Sequence, residues 1–186
     1  RDAILAAGGA ASANVFTRIT LALFAQVPWR AVPVMPVEIM LLPNWFPFHL
    51  SKISYWSRTV LVPLLILMAL KPRAKNPRGI NIEELFIRKP EEEARYLHNP
   101  TGSAWGELFL GIDKILRKIE PMLPRTARQR ALKAAVKFIK PRLNGEDGLG
   151  GIFPAMANAV MAFEALGYPK DDPDLLIAKS SIQKLL

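Results

Sequence analysis

The sixteen prolines among 186 residues constrain the fold of this chain more than any other feature. Proline lacks a backbone N–H and ends or kinks a helix, so we expect many short elements joined by fixed turns. No alternating apolar and polar pattern of useful length predicts a β-strand. The sequence therefore predicts an all-α fold, and 51% of its residues are hydrophobic, enough for a sizeable core.

The residue types and motifs that the sequence lacks limit the kinds of catalytic and metal sites that it can contain. The chain has no cysteine, which excludes a disulfide framework, a thiolate metal site and a cysteine nucleophile. Its two histidines, His49 and His98, lie far apart in sequence and give little support to a metal site. Neither an HExxH motif nor a dinucleotide-binding fingerprint is present. The sequence motifs therefore offer no strong candidate for a metal or cofactor site.

The longest apolar run, Val60–Leu70, contains Pro63 and covers eleven residues. A bilayer span needs roughly 20 apolar residues, so we expect a buried helix from about Leu50 to Leu70. The chain begins at Arg1, and residues Ile182–Leu186 lie within an expected helix. From these two features we expect the chain to be an internal fragment of a longer protein.

The remaining periodicity predicts several further helices. We expect them at 4–25 with a joint at Gly8-Gly9, and at 37–42, 81–86, 90–96, 105–119, 126–143, 155–166 and 173–186. Residues 71–102 are expected to form a long internal loop that contains the two shortest of these helices. We expect residues 1–186 to form a single partial domain.

The segment from Trp105 to Ile119 has the clearest helical period. Its apolar residues recur at steps of three and four and so share one face: Trp105, Leu108, Phe109, Ile112, Leu116 and Ile119. Two interpretations stay open. The stripe packs on a core, or the helix lies in a membrane surface with its basic flanks towards the headgroups.

The positive charge is concentrated in the window from Lys114 to Arg142. This window holds ten basic residues and one acid, Glu120, and so accounts for the whole net charge of +9. A solvated helical face explains it, and so does a surface for anionic lipid or nucleic acid. Because no nucleic-acid-binding motif lies nearby, lipid is the better of the two functional interpretations.

Two loops resemble ligand sites only superficially. The glycine-rich segment Gly145–Gly151 lacks the endings of phosphate and calcium loops, which favours a tight reversal between helices. The aspartates of Asp171–Asp174 resemble a cluster that holds magnesium diphosphate. Asp172 before Pro173 is, however, typical of a helix N-cap.

Several long blocks of sequence resemble squalene–hopene cyclases, in the same order along the chain. They are VFTR from Val15, VPW from Val27, VPVMPVEIM from Val32, WFPFHL from Trp45, YWSRTVLVP from Tyr55 and LNGEDGLGGIFPAM from Leu143. The resemblance runs nearly from end to end. Blocks of this length and order are far more specific than a single short motif.

The resemblance implies two α/α barrel domains of inner and outer helices, terpenoid cyclase type, with this chain forming a large part of one barrel. It implies cyclisation of squalene to hopene or hopanol without a metal or nucleotide. A protonated aspartic acid in a D-x-D-D motif would start the reaction. The cation would then pass through ring closures in a dry apolar cavity, stabilised by aromatic faces by roughly 0.5–2 kcal/mol each.

The resemblance also assigns site residues. Trp56 matches a tryptophan that lines the cavity, although from its residue type alone it would be an ordinary core aromatic. Ile152, Phe153 and Pro154 match a cavity-lining segment, and Phe16 falls in a matching helix. The family is monotopic, and its membrane plateau is expected at Trp105–Ile119, which makes these residues lipid contacts: Trp105, Phe109, Ile112 and Leu116.

Two departures from the family pattern matter. The recurring Gln-x3-Gly-x-Trp turn motif is degenerate, since no Gln precedes the turn and Leu149 stands where Trp is expected, so the turn must be held in another way. The D-x-D-D motif is absent. In the family it lies beyond the point where this chain ends, so the chain alone has no catalytic residue and is expected to be inactive.

The resemblance implies a peripheral, monotopic protein on the cytoplasmic side of the cytoplasmic membrane. Its expected partners are squalene and membrane lipids, not nucleic acid, and a homodimer is compatible with it. Two other functions stay open. One is a related class II cyclase of another polyprenyl substrate, and the other is a non-catalytic all-α membrane-binding module.

Overall fold

The structure, a computed structural model, describes residues 1–99 and 102–185. Within these ranges the chain forms α-helices, short 3₁₀ helices and turns, and no β-strand. The prediction of an all-α fold is therefore confirmed. Contacts divide the chain into two compact units, residues 1–34 with 71–118 and residues 35–70 with 119–186. The prediction of a single partial domain stays a prediction.

The α-helices follow the expected order along the chain. They are α1 (Asp2–Ala6), α2 (Val15–Leu23), α3 (Tyr55–Leu70), α4 (Ala104–Ile119), α5 (Arg125–Ile139), α6 (Phe153–Ala165) and α7 (Pro173–Gln183). The 3₁₀ helices are Ala10–Ser12, Trp29–Ala31, Val37–Leu41, Leu50–Lys52, Glu83–Leu85, Glu120–Met122 and Lys140–Arg142.

The predicted joint at Gly8-Gly9 is confirmed, because these residues adopt φ values of +100° and +71°, which an α-helix does not contain. Asn14 then caps α2, and its side chain accepts a hydrogen bond from the Thr17 N–H at 3.0 Å. Predicted helix ends were less accurate, since α2 ends at Leu23 and not at Ala25. The predicted C-terminal helix ends at Gln183. Its last predicted residue, Leu186, lies outside the described residues, as do residues 100 and 101 of the predicted loop.

The predicted short helix over Pro90–Tyr96 is also wrong, since this segment forms turns and bends. Its carbonyl groups bind side chains instead of helical N–H groups. The Arg30 guanidinium donates to the carbonyls of Glu91 at 2.7 Å and Glu93 at 2.6 Å. The Tyr96 hydroxyl donates to the Pro90 carbonyl at 2.6 Å. The loop is thus held to the first unit by side chains, which no local sequence period could indicate.

The core of the second unit is built on α3. Val62, Leu65, Ile66 and Leu67 have no exposed surface, and α3 packs against both α5 and α6. Fully burying one such side chain contributes about 1.5–3 kcal/mol. α6 also packs against α7, and α5 packs on the 3₁₀ helix Val37–Leu41. The predicted buried helix is confirmed, although it starts at Tyr55.

Candidate functional site

Trp56 lies in the first turn of α3, where the helix emerges from the core of the second unit. Its side chain is 54% exposed, so it is not an ordinary core aromatic of this unit. One turn later, Thr59 is completely buried, and its hydroxyl donates to the Trp56 carbonyl at 2.8 Å. The buried part of α3 therefore fixes the backbone from which the indole projects.

The glycine-rich turn lies directly beside this end of α3. Gly148, Gly150 and Gly151 all adopt positive φ, at +59°, +70° and +66°, a conformation that glycine takes without steric cost. A Cβ on Gly151 would lie 3.9 Å from Cη2 of Trp56. The far edge of the indole is thus in van der Waals range of the turn.

The residues after this turn form the start of α6. Ile152 is the N-cap residue of the helix, and Phe153 and Pro154 occupy its first positions, which suits a proline without a backbone N–H. Phe153 is exposed, whereas Ala155 and Met156 are buried in the core. Gly151, the residue directly before the predicted cavity segment, therefore lies beside Trp56. Phe16 lies exposed on α2 in the first unit, which is described separately.

The turn is held by groups that the family motif does not contain. The Asn144 side-chain oxygen accepts three backbone N–H groups, from Glu146 at 3.0 Å, Asp147 at 2.5 Å and Gly148 at 3.2 Å. The buried Ser181 hydroxyl donates to the Asn144 carbonyl at 3.0 Å, and Lys184 donates to the Gly145 carbonyl.

Leu149 completes this anchor, because it is fully buried where the family motif would have a tryptophan. The prediction that the turn is held in another way is confirmed. Sequence reasoning missed Asn144 and Ser181. The only local signal was an Asn-Gly pair, which is typical of turns in general.

A second feature is α4, whose apolar face is exposed. Trp105 is 70% exposed and Phe109 is 53% exposed, and Leu108, Ile115 and Ile119 are exposed as well. Ile112 and Leu116 are partly exposed. The stripe predicted from the period is present, but it does not pack on the core of the first unit.

The helix is attached to the first unit by its polar side. Within α4, all of which is described, Asp113 is the one buried residue. Its carboxylate accepts the Val34 N–H at 2.6 Å and the Arg117 Nε–H at 2.7 Å. Arg117 also donates to the Val32 carbonyl at 2.7 Å. Sequence reasoning placed these two residues off the stripe but missed that they anchor the helix.

The basic window has mixed roles. Arg128 pairs with Glu38 at 3.0 Å, and Lys140 pairs with Asp174 at 2.5 Å. This hydrogen bond holds the pKa of Lys140 above its usual value. Arg142 donates to the Phe138 carbonyl at 2.7 Å. Part of the window is therefore structural, which the charge count could not reveal.

Other basic residues of the window line a surface groove of about 520 Å³. Lys133 and Lys137 lie on its α5 wall and are exposed. The apolar lining includes Leu132, Val136 and Leu166. These two lysines are among the basic residues of the window that remain exposed.

The aspartate cluster forms a helix cap. The Asp172 carboxylate accepts the N–H groups of Asp174 at 2.9 Å and Leu175 at 3.3 Å, which stabilises the first turn of α7. The capping interpretation is confirmed. Within the described residues, no group of three or more His, Cys, Asp or Glu side chains is arranged to hold a metal ion.

No helix in the described part of the chain is both long and apolar enough to span a bilayer.

The described residues define an all-α protein in which helices are joined by a glycine-rich turn. A family model described as the squalene–hopene cyclase N-terminal domain matches residues 1–186. The chain belongs to the squalene–hopene cyclase family, which has the helical-barrel fold of terpenoid cyclases.

Curated relatives match along the entire chain. It is 54% identical over 187 residues to the squalene–hopene cyclase of Bradyrhizobium diazoefficiens and 52% identical over 186 residues to that of Zymomonas mobilis. It is 56% identical over 187 residues to the "Probable squalene–hopene cyclase" of Sinorhizobium fredii. Each alignment covers 100% of this chain but only 28%, 28% and 29% of the respective relative. The chain thus spans less than a third of the length of these proteins.

Proposed function

We propose that the protein is a squalene–hopene cyclase in which residues 1–186 contribute part of the substrate cavity and a membrane-contacting surface. The observation that carries the proposal is the family match over the whole chain, at 52% to 56% identity with proteins named for this reaction. Squalene would be protonated at a terminal alkene and cyclised through successive carbocations. Loss of a proton from the final cation would give hopene, and addition of water followed by loss of a proton would give hopanol.

The local chemistry near Trp56 suits a carbocation. A cation over an indole face is stabilised by roughly 0.5–2 kcal/mol, and the half-exposed Trp56 leaves its ring available. Ile152, Phe153 and Pro154 carry hydrocarbon side chains, so none of them offers a nucleophile that would quench the cation. Since the chain has no D-x-D-D motif, the proposal assigns proton donation to a part of the protein outside residues 1–186.

Squalene turnover by the full-length protein tests this proposal. We expect conversion to pentacyclic products by the unsubstituted protein. Trp56→Ala should lower turnover or release incompletely cyclised products, because the cation loses a stabilising ring. Tyr55→Ala is the matched control, since Tyr55 is also a half-exposed aromatic of the same helical turn but matches no cavity residue.

The outcomes separate the candidate functions. An unchanged rate and product profile in Trp56→Ala would remove Trp56 from the cavity. Conversion of another polyprenyl substrate but not squalene would favour a related class II cyclase. No conversion of any such substrate would leave the non-catalytic membrane-binding module, which absence of D-x-D-D from the full-length protein would also favour.

We also propose that the protein is monotopic and contacts the cytoplasmic face of the membrane through α4. Support comes from the exposed apolar stripe together with the polar attachment at Asp113 and Arg117. A helix attached by its polar side leaves its apolar face for a hydrocarbon surface.

Vesicle co-sedimentation of the full-length protein tests this second proposal. Phe109→Glu combined with Ile112→Glu should strongly reduce binding, because two carboxylates would enter the interface. Leu176→Glu is the control, because Leu176 is an exposed apolar residue of α7. Equal binding by the double variant and the control would mean that α4 does not contact lipid.

A further inference from the structure

The buried Thr59 side chain lies directly beside Gly150 of the glycine-rich turn. A Cβ built on Gly150 would lie 2.6 Å from the Thr59 hydroxyl oxygen, 3.1 Å from its Cβ and 3.3 Å from its Cγ2. Real Cβ atoms essentially never approach another atom to 2.6 Å. At this position the turn lies too close to α3 for any residue larger than glycine to fit without a shift of one of the two segments.

This contact lies between the two parts of the candidate cavity wall. On the α3 side, Thr59 is one turn from Trp56 and donates to its carbonyl at 2.8 Å. On the turn side, Gly150 precedes Gly151, which lies under the indole edge, and Ile152, which starts the cavity segment. Both partners are fixed by other contacts. Thr59 belongs to a helix with a buried core segment, and the turn is held by hydrogen bonds of Asn144 and Ser181.

We propose that Thr59 and Gly150 are positioning residues that together act as a spacer between Trp56 and Ile152–Pro154, and thereby set how completely the substrate is cyclised. This inference rests on the proposed cyclase function. Neither residue offers a side chain to the substrate, since Thr59 is fully buried and Gly150 has none. They would act by setting the distance between the Trp56 ring and the segment Ile152–Pro154.

The expected effect follows from how sharply cation stabilisation depends on placement. A displacement of about 1 Å in a reacting arrangement can cost on the order of 10²-fold in rate. When the aromatic ring no longer stabilises an intermediate cation, that cation can be quenched before the next ring closes. It then loses a proton to become an alkene, or binds water and loses a proton to become an alcohol. A shifted spacer should therefore increase partially cyclised products and not only slow the reaction.

The first test compares two glycines of the same turn in the full-length protein. Gly150→Ala should push α3 and the turn apart, lower squalene turnover by about 10- to 100-fold and raise the fraction of partially cyclised products. Gly148→Ala is the matched control, with a similar φ of +59° and a similar clash, 2.7 Å to Cβ of Ser181. Its clash is with Ser181 of α7 and with the flexible side chain of Met156, and not with α3. It should therefore lower thermal stability but leave the product ratio unchanged.

The second test changes the other side of the contact. Thr59→Val keeps the branched shape and should keep the product ratio, whereas Thr59→Ala removes the spacer and should change it. In the double variant with Gly150→Ala and Thr59→Ala, the new methyl group at position 150 occupies space vacated by the hydroxyl and methyl groups of Thr59. Its product ratio should return towards that of the unsubstituted protein, while its thermal stability stays low because the alanine retains the strained φ.

A spectroscopic readout separates this inference from the proposed function. In protein labelled with 5-fluorotryptophan, the ¹⁹F resonance of Trp56, assigned with Trp56→Phe, should shift in Gly150→Ala and not in Gly148→Ala. A shift supports the spacer even if the unsubstituted protein converts no squalene, in which case only the proposed function fails. The spacer is overturned if the resonance stays in place, or if both glycine variants change the resonance and products equally.

Discussion

The helices α3 and α4 have the same length, 16 residues each, and use their apolar side chains in opposite ways. In α3 the apolar residues from Val62 to Met68 are buried, and the helix is a core element of the second unit. In α4 the buried residue is Asp113, and large apolar side chains such as Trp105 are exposed. Hydrophobic content alone therefore does not tell which helix is inside.

The difference lies in how the apolar residues are distributed. The second half of α3 is apolar on every side, as expected for a helix surrounded by others. In α4 the polar and apolar residues occupy opposite faces, so one face can bind the protein while the other meets a different phase. In α4 the protein takes the polar face, through Asp113 and Arg117. Substitutions that act on only one of the two helices test this contrast.

The largest effect is expected from truncating a leucine in α3. Leu65→Ala should lower the free energy of unfolding by about 2–5 kcal/mol, because it leaves a cavity in a packed core. Leu108→Ala, the same change in α4, should cost less than about 0.5 kcal/mol, because Leu108 is half exposed. Thermal or urea unfolding of the two variants measures the difference. Equal losses would mean that the α4 stripe is part of a core.

An intermediate effect is expected at the anchor of α4. Asp113→Ala removes a charged acceptor from the Val34 N–H and from Arg117, and should cost about 1.5–3 kcal/mol. The loss should be local, so hydrogen exchange should speed up in the amides of α4 but not in those of α3. Lys114→Ala is the control, since Lys114 is exposed on the same helix. Unchanged exchange in Asp113→Ala would show that other contacts hold α4.

The smallest effect is expected at the ion pair between Lys140 and Asp174. Both side chains are partly open to solvent, so Lys140→Ala should cost about 0.2–1 kcal/mol. Asp174 raises the pKa of Lys140, so the pair stabilises the protein at neutral pH and loses its effect as the pH rises above the ordinary lysine pKa. The stability difference between Lys140→Ala and the unsubstituted protein should therefore shrink in strongly alkaline solution. A constant difference would assign the loss to packing.

Sequence periodicity predicted α4 well but could not assign its faces. The stripe from Trp105 to Ile119 was predicted correctly, and the buried run of α3 was clear from its composition. What decides the orientation of α4 is a pair of bonds to Val32 and Val34, about 80 residues away in the chain. Such a long-range contact leaves only a weak local signal, the four-residue spacing of Asp113 and Arg117.

The candidate cavity shows a similar limit. The resemblance singled out Trp56 and Ile152–Pro154, and the structure brings the turn before Ile152 against Trp56. The buried contact that joins them, Thr59 with Gly150, could not be predicted, because a threonine in a helix and a glycine in a turn are ordinary residues there. The roles of Trp56 and Ile152–Pro154 as cavity residues stay predictions until product analysis tests them.

The central claim is that the exposed face of α4 meets lipid, and photo-crosslinking tests it most directly. A photoreactive leucine analogue would replace either Leu108 in α4 or Leu176 in α7, two leucines with the same 50% exposure, in the full-length protein bound to phospholipid vesicles. The account predicts lipid adducts at position 108 and few or none at position 176. Equal adduct yields at both positions, or adducts at position 176 alone, would contradict it.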